Sequence, residues 1–206
     1  MKAQIIVFDG FDEIDAVAPF EVLRNAAARG ADIQVQLASV GGAEEVTAVH
    51  GLRMRPDARL LDGGSGGRPD LVIVAGGSWL SGAAQGVRAE ITSGDIPKAL
   101  RQLHESGTVL ASVCTGAMLI AATGLLAGRP VTTHHHAIED LRRMGADIVQ
   151  ARVVDDDDIV TAGGITSGLD LALWLVERFV GSQTALQVEA DMEYERRGTV
   201  WQRSKA

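Results

Sequence analysis

The stretch TVLASVCTGAMLIAAT, residues 108–123, changes within two residues from the pattern of a strand to that of a helix. Its first six residues, TVLASV, form a short and largely apolar run, as in a strand covered on both faces. Its last eight residues, GAMLIAAT, form a helix candidate, and Gly124 then supplies the left-handed residue that commonly ends a helix. Cys114, the only cysteine in the 206 residues, lies at the joint. In open α/β sheets this position, beyond the carboxyl end of a strand, is where ligands bind.

Cys114 meets the requirements of a nucleophile on a tight strand-to-helix turn, a nucleophile elbow. Such a turn needs small residues two positions before and after the nucleophile, and Ser112 and Gly116 provide them. The amides at the start of the following helix favour a thiolate, and those of Thr115 and Gly116 are candidates to hold a developing anion. The alternative is a core cysteine, because free cysteine is among the most buried residue types. The elbow context favours a reactive thiol.

The rest of the chain alternates short apolar runs with helical patterns, as in a doubly wound α/β domain. VTAVHGLRMRP (46–56) and RVVDDDDIVTAGG (152–164) are typical of hairpins, the second with Asp155–Asp158 at a solvated tip, and GGSGG (63–67) is typical of a surface loop. These patterns predict a single domain over residues 1–206, with a mostly parallel sheet and helices on both faces. The predicted strands are 3–8, 32–39, 70–75 and 108–113, and the predicted helices are 15–29, 96–106, 116–123, 134–144, 167–180 and 182–196.

Composition and charge disfavour several classes of protein. The chain is 46 % hydrophobic, as expected of a globular protein. Its 27 acidic and 19 basic residues give a formal net charge of −8, which disfavours binding to nucleic acid. The N-terminal apolar run, IIVF, is too short for a signal sequence or a membrane span. A single cysteine cannot form an intrachain disulfide, and we expect a soluble, cytoplasmic protein that binds neither nucleic acid nor membranes.

The elbow SVCTGA resembles that of the ThiJ/PfpI superfamily, whose members have a class I glutamine amidotransferase-like, flavodoxin-type fold. Further segments are similar to one branch of it, which contains the isonitrile hydratases and the amidase-like domains of AraC-type transcription regulators. The resemblance covers nearly the whole chain and implies a flavodoxin-like fold, a small-molecule substrate and a homodimer. The segments that carry it are FDGFDEIDAVAPFEVL (8–23), VAGGSW (74–79), VTTHHHAIEDL (131–141) and TAGGITSGLDLAL (161–173).

The resemblance assigns roles to residues whose types alone leave the choice open. Asp15 is by its position an acid at the start of a helix, and by resemblance the active-site carboxylate. Gly76 and Gly77 form a tight turn after a strand, and by resemblance the Gly77 amide contributes to an anion-binding pocket. Trp79 is either a wall of the substrate pocket or an ordinary packing residue, and His134 is expected near the site.

Two further motifs are expected to be structural. His134, His135 and His136 are consecutive, and successive residues of an α-helix point about 100° apart, so we expect no shared metal ion. No metal or organic cofactor is predicted for the protein. Ser167 and Asp170 have the S-x-x-[DE] spacing of a capping box, which favours a helix-capping role for Asp170 over a catalytic one.

The residues around Cys114 limit the reactions that are expected at this site. Thr115 stands where protease-like and glyoxalase-like relatives carry a histidine, there or elsewhere in the pocket, so Cys–His peptide hydrolysis is disfavoured. The resemblance to isonitrile hydratases implies that Cys114 attacks the isonitrile carbon, that Asp15 exchanges protons, and that Thr115 orients the nitrogen or water. The product is an N-substituted formamide. The alternative is a non-catalytic domain that senses a ligand or thiol oxidation, like the amidase-like domain of AraC-type regulators.

Overall fold

The fold is known from a computed structural model, which describes residues 1–60, 67–80 and 83–203. Strands and helices alternate along most of this length. The strands are β1 Lys2–Ile6, β2 Gln34–Ser39, β3 Val46–Thr47, β4 Arg53–Met54, β5 Ala58–Arg59, β6 Leu71–Val74, β7 Val109–Ser112, β8 Pro130–Val131, β9 Asp147–Ile148, β10 Val153–Asp156, β11 Ile159–Ala162 and β12 Trp201–Gln202. The helices are α1 Glu13–Ala28, α2 Val87–Ser93, α3 Asp95–Glu105, α4 Gly116–Ala121, α5 Ile138–Arg143, α6 Ser167–Phe179 and α7 Ser182–Asp191.

Eight strands form one sheet in the order β12-β10-β11-β7-β6-β1-β2-β5. Every neighbouring pair in it is parallel except β10 and β11, which form a hairpin. The central strand β6, LVIV, is buried at all four positions, as the continuous apolar run predicts for a strand covered on both faces. The mostly parallel sheet of the sequence prediction is therefore confirmed.

Helices cover the two faces of this sheet in two groups. Helices α1, α6 and α7 pack against one another, and α2, α3 and α4 form the second group. Helix α1 begins two residues earlier than predicted, because the Asp12 side chain accepts a hydrogen bond from the Ile14 amide and caps it. Among the described residues no helix has both the length and the apolar character needed to cross a bilayer. The architecture is flavodoxin-like.

Several elements differ from the sequence pattern. Helix α2 and the short strands β5, β8, β9 and β12 were not predicted, since two-residue strands carry too little periodicity to be detected. The predicted helix 134–144 begins as a 3₁₀ turn, His135–Ala137, and becomes α-helical only at Ile138. The hairpin predicted at 46–56 is confirmed as β3–β4. Apart from Gly67, the predicted loop 63–67 lies outside the described residues.

The prediction that Asp155–Asp158 form a solvated tip is wrong for its first two residues. Asp155 and Asp156 belong to β10 and are buried. The Asp156 carboxylate accepts hydrogen bonds from Arg129 and Arg203, and burial is tolerated because the charge is paired. The charge of the buried Asp155 is paired in the same way. Its carboxylate oxygens accept from the Trp174 indole and the Arg178 guanidinium.

Asp170 has a structural role, but not the predicted one. The N-cap of α6 is Thr166, and no side chain caps the helix there. The Asp170 carboxylate instead accepts from Arg152 Nε at 2.7 Å, from the Tyr194 hydroxyl at 3.1 Å and from the Arg197 amide at 2.8 Å. The carboxylate therefore fastens the segment that follows α7 to α6.

The buried Asp156 pair predicts a position-specific loss of stability. Asp156→Asn removes the charge that two guanidinium groups share, and we expect the free energy of unfolding to fall by about 2 kcal/mol. Asp157→Asn, at the exposed hairpin tip, is expected to change it by less than about 0.5 kcal/mol. Urea unfolding of both variants and the parent measures the difference, and equal losses for the two variants would contradict the ion-pair assignment.

Candidate active site

Cys114 occupies a nucleophile elbow, as the sequence predicts. Its φ of 56° lies in the left-handed region, which is uncommon for a residue other than glycine and marks a strained backbone. Gly116, two residues later, has no room for a side chain, because a Cβ there would lie 2.2 Å from the carbonyl oxygen of Val74. The small residue after the cysteine is therefore required by the close approach of β6 to the elbow.

Hydrogen bonds from two other loops hold the Cys114 backbone. Its amide donates to the carbonyl oxygens of Gly163, at 2.9 Å, and Ala162, at 3.2 Å. Its own carbonyl accepts from the Thr133 hydroxyl at 2.8 Å. Two segments distant in sequence thus keep the strained conformation in place, which fixes the direction of the thiol.

Asp15 lies behind the elbow and is fully buried. Its Oδ2 atom accepts a hydrogen bond of 2.9 Å from the Gly76 amide. Its Oδ1 atom is buried, and no described group forms a hydrogen bond of ordinary geometry with it. A Cβ on Gly76 would lie 2.6 Å from the amide nitrogen and the hydroxyl of Thr115, and 2.9 Å from Asp15 Oδ2. Gly76 is thus the residue at which the Asp15 carboxyl, Thr115 and the end of β6 come together.

The Asp15 carboxyl and the Cys114 thiol lie close enough for each to affect the proton affinity of the other. Burial, and then the negative charge of Asp12, raise the pKa of Asp15 well above its ordinary value. Burial, and then the charge of Asp15, likewise raise the pKa of Cys114 far above that of a free thiol. Both effects favour the neutral forms.

The prediction that helix dipoles ionise Cys114 is therefore wrong. Helix α4 has only six residues, so its dipole is small, while burial and the adjacent carboxyl act in the opposite direction. The resting site contains a protonated thiol beside a carboxyl with a raised pKa. Such a pair resembles enzyme sites in which burial raises the pKa of a carboxyl, so that the carboxyl can act as a general acid.

A cavity of about 150 Å³ opens at the thiol. Five of the residues predicted for the site line it, whereas Asp15, Gly76 and Gly116 lie behind its wall. A cavity of this size suits a small ligand rather than a peptide. The lining residues are Asp12, Gly77, Ser78, Trp79, Leu80, Cys114, Thr115, His134, His136 and Ile165.

Two of the amides expected to bind an anion are occupied by the protein itself. The Gly77 amide donates to the Thr115 hydroxyl at 3.0 Å, and the Gly116 amide donates to the Val113 carbonyl at 2.9 Å. The expectation that they form the anion pocket is contradicted, because their hydrogen atoms are directed at these acceptors. The Thr115 amide is the donor directed at the Cys114 sulfur.

Trp79 is a fixed wall of the cavity. Its indole Nε1 donates to Asp140 at 2.9 Å, and the Arg88 guanidinium carbon lies 3.8 Å from the ring centroid. Arg88 also donates from Nε to the Trp79 carbonyl at 2.7 Å. This cation–π contact and the two hydrogen bonds restrict the ring to one orientation. Of the two roles considered from sequence, the pocket wall is the one in the structure.

The three histidines come together, contrary to the prediction that they diverge. That prediction assumed an α-helix, whereas His134 is extended, with a ψ of 138°, and His135–Ala137 form a 3₁₀ turn. The ring centroids of His134 and His136 are 4.9 Å apart, and both rings line the cavity. Burial, and then the two neighbouring imidazoles, lower the pKa of His134, which favours its neutral form.

Asp12 is a site residue that the sequence reasoning missed. It caps α1, lines the cavity and lies one helical turn before Asp15, so its charge acts on the buried carboxyl. Burial raises the pKa of Asp12 as well. The D-x-x-D spacing of residues 12–15 was the available signal, since residues three apart share a helix face.

A larger cavity, of about 310 Å³, lies beside α6 and the end of the described chain. Its walls include Trp174, Glu177 and Arg196. The residues that line it include no cysteine, serine or histidine, so it offers no such nucleophile or imidazole base. The chemistry-bearing groups are concentrated at the Cys114 cavity.

Fold and site together define an α/β protein with a cysteine elbow at the carboxyl edge of its sheet and a buried acid beside it. The chain belongs to the DJ-1/PfpI family, whose profile matches residues 1–178. Isonitrile hydratase from Pseudomonas putida is 32 % identical over 196 residues, which are 94 % of this chain and 78 % of that protein.

Solved structures share the fold. DJ-1beta from Drosophila melanogaster superposes with a TM-score of 0.80 at 24 % identity, over 94 % of this chain and 98 % of that one. An AraC family transcriptional regulator from Pseudomonas putida superposes with a TM-score of 0.79 at 21 % identity, over 93 % and 98 %. These likenesses establish the architecture alone.

The coupled thiol and carboxyl predict an unusual response to alkylation. Because the pKa of Cys114 is raised, the thiolate fraction at pH 8 is small, and iodoacetamide should react slowly and faster as pH rises. Asp15→Asn removes a negative charge beside the sulfur, lowers the pKa of the thiol, and should raise the alkylation rate at pH 8 about tenfold.

The control is Asp70→Asn, the same chemical change at the opposite end of β6, where the carboxylate accepts from the Lys2 amide. It should leave the alkylation rate unchanged. Mass spectrometry of the Cys114 peptide over time gives the rates, and an Asp15→Asn rate equal to that of the parent would refute the coupling.

Proposed function

We propose that the protein adds water to a small isonitrile and releases the N-substituted formamide. One observation carries this proposal: the Cys114 thiol faces a cavity of about 150 Å³, and beside it lies a buried carboxyl whose Oδ1 has no hydrogen bond of ordinary geometry to the described residues. The identity of 32 % with an isonitrile hydratase supports the same reaction class. No metal or organic cofactor is needed for it, because both steps are additions at a carbon that sulfur and water can attack.

In the first step the thiol adds to the terminal carbon of R–N≡C. Asp15 delivers a proton to that carbon from Oδ1, the oxygen that the Gly76 amide does not hold. Sulfur bonds to the carbon, and the thiol proton returns to the carboxyl. The product is a thioimidate, R–N=CH–S–Cys114. A carboxyl with a raised pKa suits this step because it holds its proton more tightly than an ordinary carboxyl and can donate it to the carbon.

In the second step water attacks the thioimidate carbon, and the nitrogen takes up a proton. The tetrahedral adduct then expels sulfur, which recovers its proton, and R–NH–CHO leaves. Asp15, which is protonated at the end of the first step, gives its proton to the nitrogen and takes one from the attacking water. It then gives that proton to the departing sulfur and takes the proton of the adduct's hydroxyl group, so the site returns to its starting state. The atoms balance as one isonitrile and one water per formamide.

Thr115 and Trp79 fit supporting roles. The Thr115 hydroxyl accepts from the Gly77 amide, so its own hydrogen is available to the substrate nitrogen or the water. The ring of Trp79 and the side chains of Leu80 and Ile165 give the cavity apolar walls that suit a hydrocarbon R group. We propose that these walls select among small isonitriles.

The raised pKa of Cys114 bears on the alternative of thiol redox sensing. Peroxide-sensing cysteines are accessible and have lowered pKa values, whereas Cys114 is buried and its pKa is raised. A peptidase is also disfavoured, since a cysteine peptidase needs a groove for an extended chain, whereas the cavity at Cys114 has a volume of only about 150 Å³. Catalysis on a small molecule is therefore the function that the geometry supports best.

Turnover of cyclohexyl isocyanide tests the proposal. The parent protein should release N-cyclohexylformamide, detected by chromatography and mass spectrometry. Cys114→Ala should abolish this activity, and Asp15→Asn should lower kcat by roughly 10²–10⁴-fold, the usual contribution of a general acid–base. Asp70→Asn should retain the parent rate.

The outcome of two assays together distinguishes the roles of Asp15. Asp15→Asn should gain reactivity toward iodoacetamide while it loses formamide production, because the acid is required for proton transfer and not for the nucleophilicity of sulfur. If folded parent protein releases no formamide from several small isonitriles, the hydratase proposal fails. Selective oxidation of Cys114 by mild peroxide would then favour the sensor.

We also propose that the protein is a homodimer. Exposed Ile14 and Val17 on α1 lie beside the hairpin β3–β4 and its flanks, where Val49 and Leu52 are also exposed. The Glu13 carboxylate joins these elements, because it accepts from the amides of the hairpin. An apolar patch of this kind is typical of a protein–protein contact.

Light scattering of the eluting protein tests this arrangement. Ile14→Glu combined with Val17→Glu should convert a dimer into a monomer, because a charge would be buried in the contact. Leu186→Glu, at a more exposed apolar position on α7, should leave the dimer intact. A parent protein that elutes as a monomer, or a dimer lost only in Leu186→Glu, would rule out the α1 interface.

A further inference from the structure

Three imidazoles meet at the entrance to the Cys114 cavity. The ring centroids are 4.2 Å apart for His134 and His135, 3.9 Å for His135 and His136, and 4.9 Å for His134 and His136. One ring nitrogen of each residue lies within 4.8 Å of those of the other two. The change from an extended His134 to the 3₁₀ turn His135–Ala137 brings the rings to one side.

Among the described residues these imidazoles have no acidic partner, unlike the other two histidines of the chain. His50 forms an ion pair with Glu13, and His104 with Asp158. Across residues 1–60, 67–80 and 83–203, the only hydrogen bond to a ring of the trio is from the His136 amide to His134 Nδ1, at 3.2 Å. Three imidazole rings that pack together without a carboxylate have nitrogen lone pairs available to bind a metal ion.

The geometry is close to that of a metal site. Nitrogen ligands lie about 2.0–2.1 Å from zinc, so two of them are about 3.4 Å apart in a tetrahedral site. The nitrogen atoms of the trio need to approach one another by up to about 1.4 Å to reach that spacing, a movement that we expect from rotation of the exposed His135 and His136 side chains. Imidazole favours Zn²⁺, Cu²⁺ and Ni²⁺ over Mg²⁺ and Ca²⁺, which prefer oxygen ligands.

The position of His134 limits where such an ion lies. Its ring rests on Gly164, where a Cβ would come within 2.2 Å of His134 Cδ2, so the ring is held against the loop after β11. His134 and His136 line the same cavity as Cys114. An ion held by both rings therefore lies at the cavity entrance, over the path that a small molecule takes to the thiol.

We propose that His134, His135 and His136 bind one divalent ion of the zinc class at the entrance of the Cys114 cavity. The site is separate from the hydration chemistry, which uses Cys114, Asp15 and Thr115. Its occupancy restricts access to the thiol. The prediction that no metal binds rested on α-helical splaying, which this segment does not show.

Calorimetric titration with Zn²⁺ tests the site on protein that carries no affinity tag and has been treated with a chelator. The parent should bind one ion per chain at pH 7.5. His135→Gln and His136→Gln should each weaken binding at least tenfold, because each removes one of three ligands. His50→Gln and His104→Gln are matched controls on the two acid-paired histidines, and they should bind like the parent.

Cys114→Ser separates the trio from the thiol as the source of binding. Retained binding in this variant supports the histidine site, and its loss would overturn it. Parent-like affinity in both His135→Gln and His136→Gln would overturn it as well. Neither result depends on whether an isonitrile is hydrated.

A separate experiment tests the position of the ion at the cavity entrance. Saturating Zn²⁺ should slow alkylation of Cys114 by iodoacetamide at least fivefold in the parent, and His136→Gln should lose this protection at the same Zn²⁺ concentration. Protection that persists in His136→Gln would place the ion on the sulfur and not on the trio. Unchanged alkylation in zinc-loaded parent would place the ion away from the entrance.

Discussion

The left-handed backbone at Cys114 is the constraint on which the site depends. A residue with a side chain adopts this conformation only where its surroundings impose it, and here the Cys114 amide is bound by the loop after β11 while its carbonyl is bound by Thr133. The close contact of Gly116 with Val74 completes the arrangement. Because these contacts come from β6, from the loop after β11 and from the segment after β8, the elbow depends on parts of the chain that are distant in sequence.

Sequence alone predicted the elements with strong local signals. The four long parallel strands and the long helices matched within a few residues, and Cys114 was placed at its elbow from the size of Ser112 and Gly116. What it missed depends on contacts across the chain. The burial of Asp155 and Asp156 required Arg129, Arg178 and Arg203 to arrive from elsewhere, and the convergence of the histidines depended on one 3₁₀ turn. Such partners leave no trace in local periodicity.

The electrostatics of the site were the least predictable part. A cysteine before a helix suggested a thiolate, but burial and the Asp15 carboxyl oppose ionisation. A thiol and a carboxyl that both have raised pKa values suit a reaction that begins with proton delivery. They suit less well a reaction of the thiol with peroxide.

The main chain at Gly76 decides which oxygen of the acid is free. Its amide holds Asp15 Oδ2, and any side chain at this residue would overlap both the acid and Thr115. The backbone at the end of β6 therefore sets the orientation of the Asp15 carboxyl, and no side chain that a substitution could change is involved in this hydrogen bond. Walls such as Trp79 and Leu80 can therefore differ and admit other molecules while the orientation of the Asp15 carboxyl stays the same.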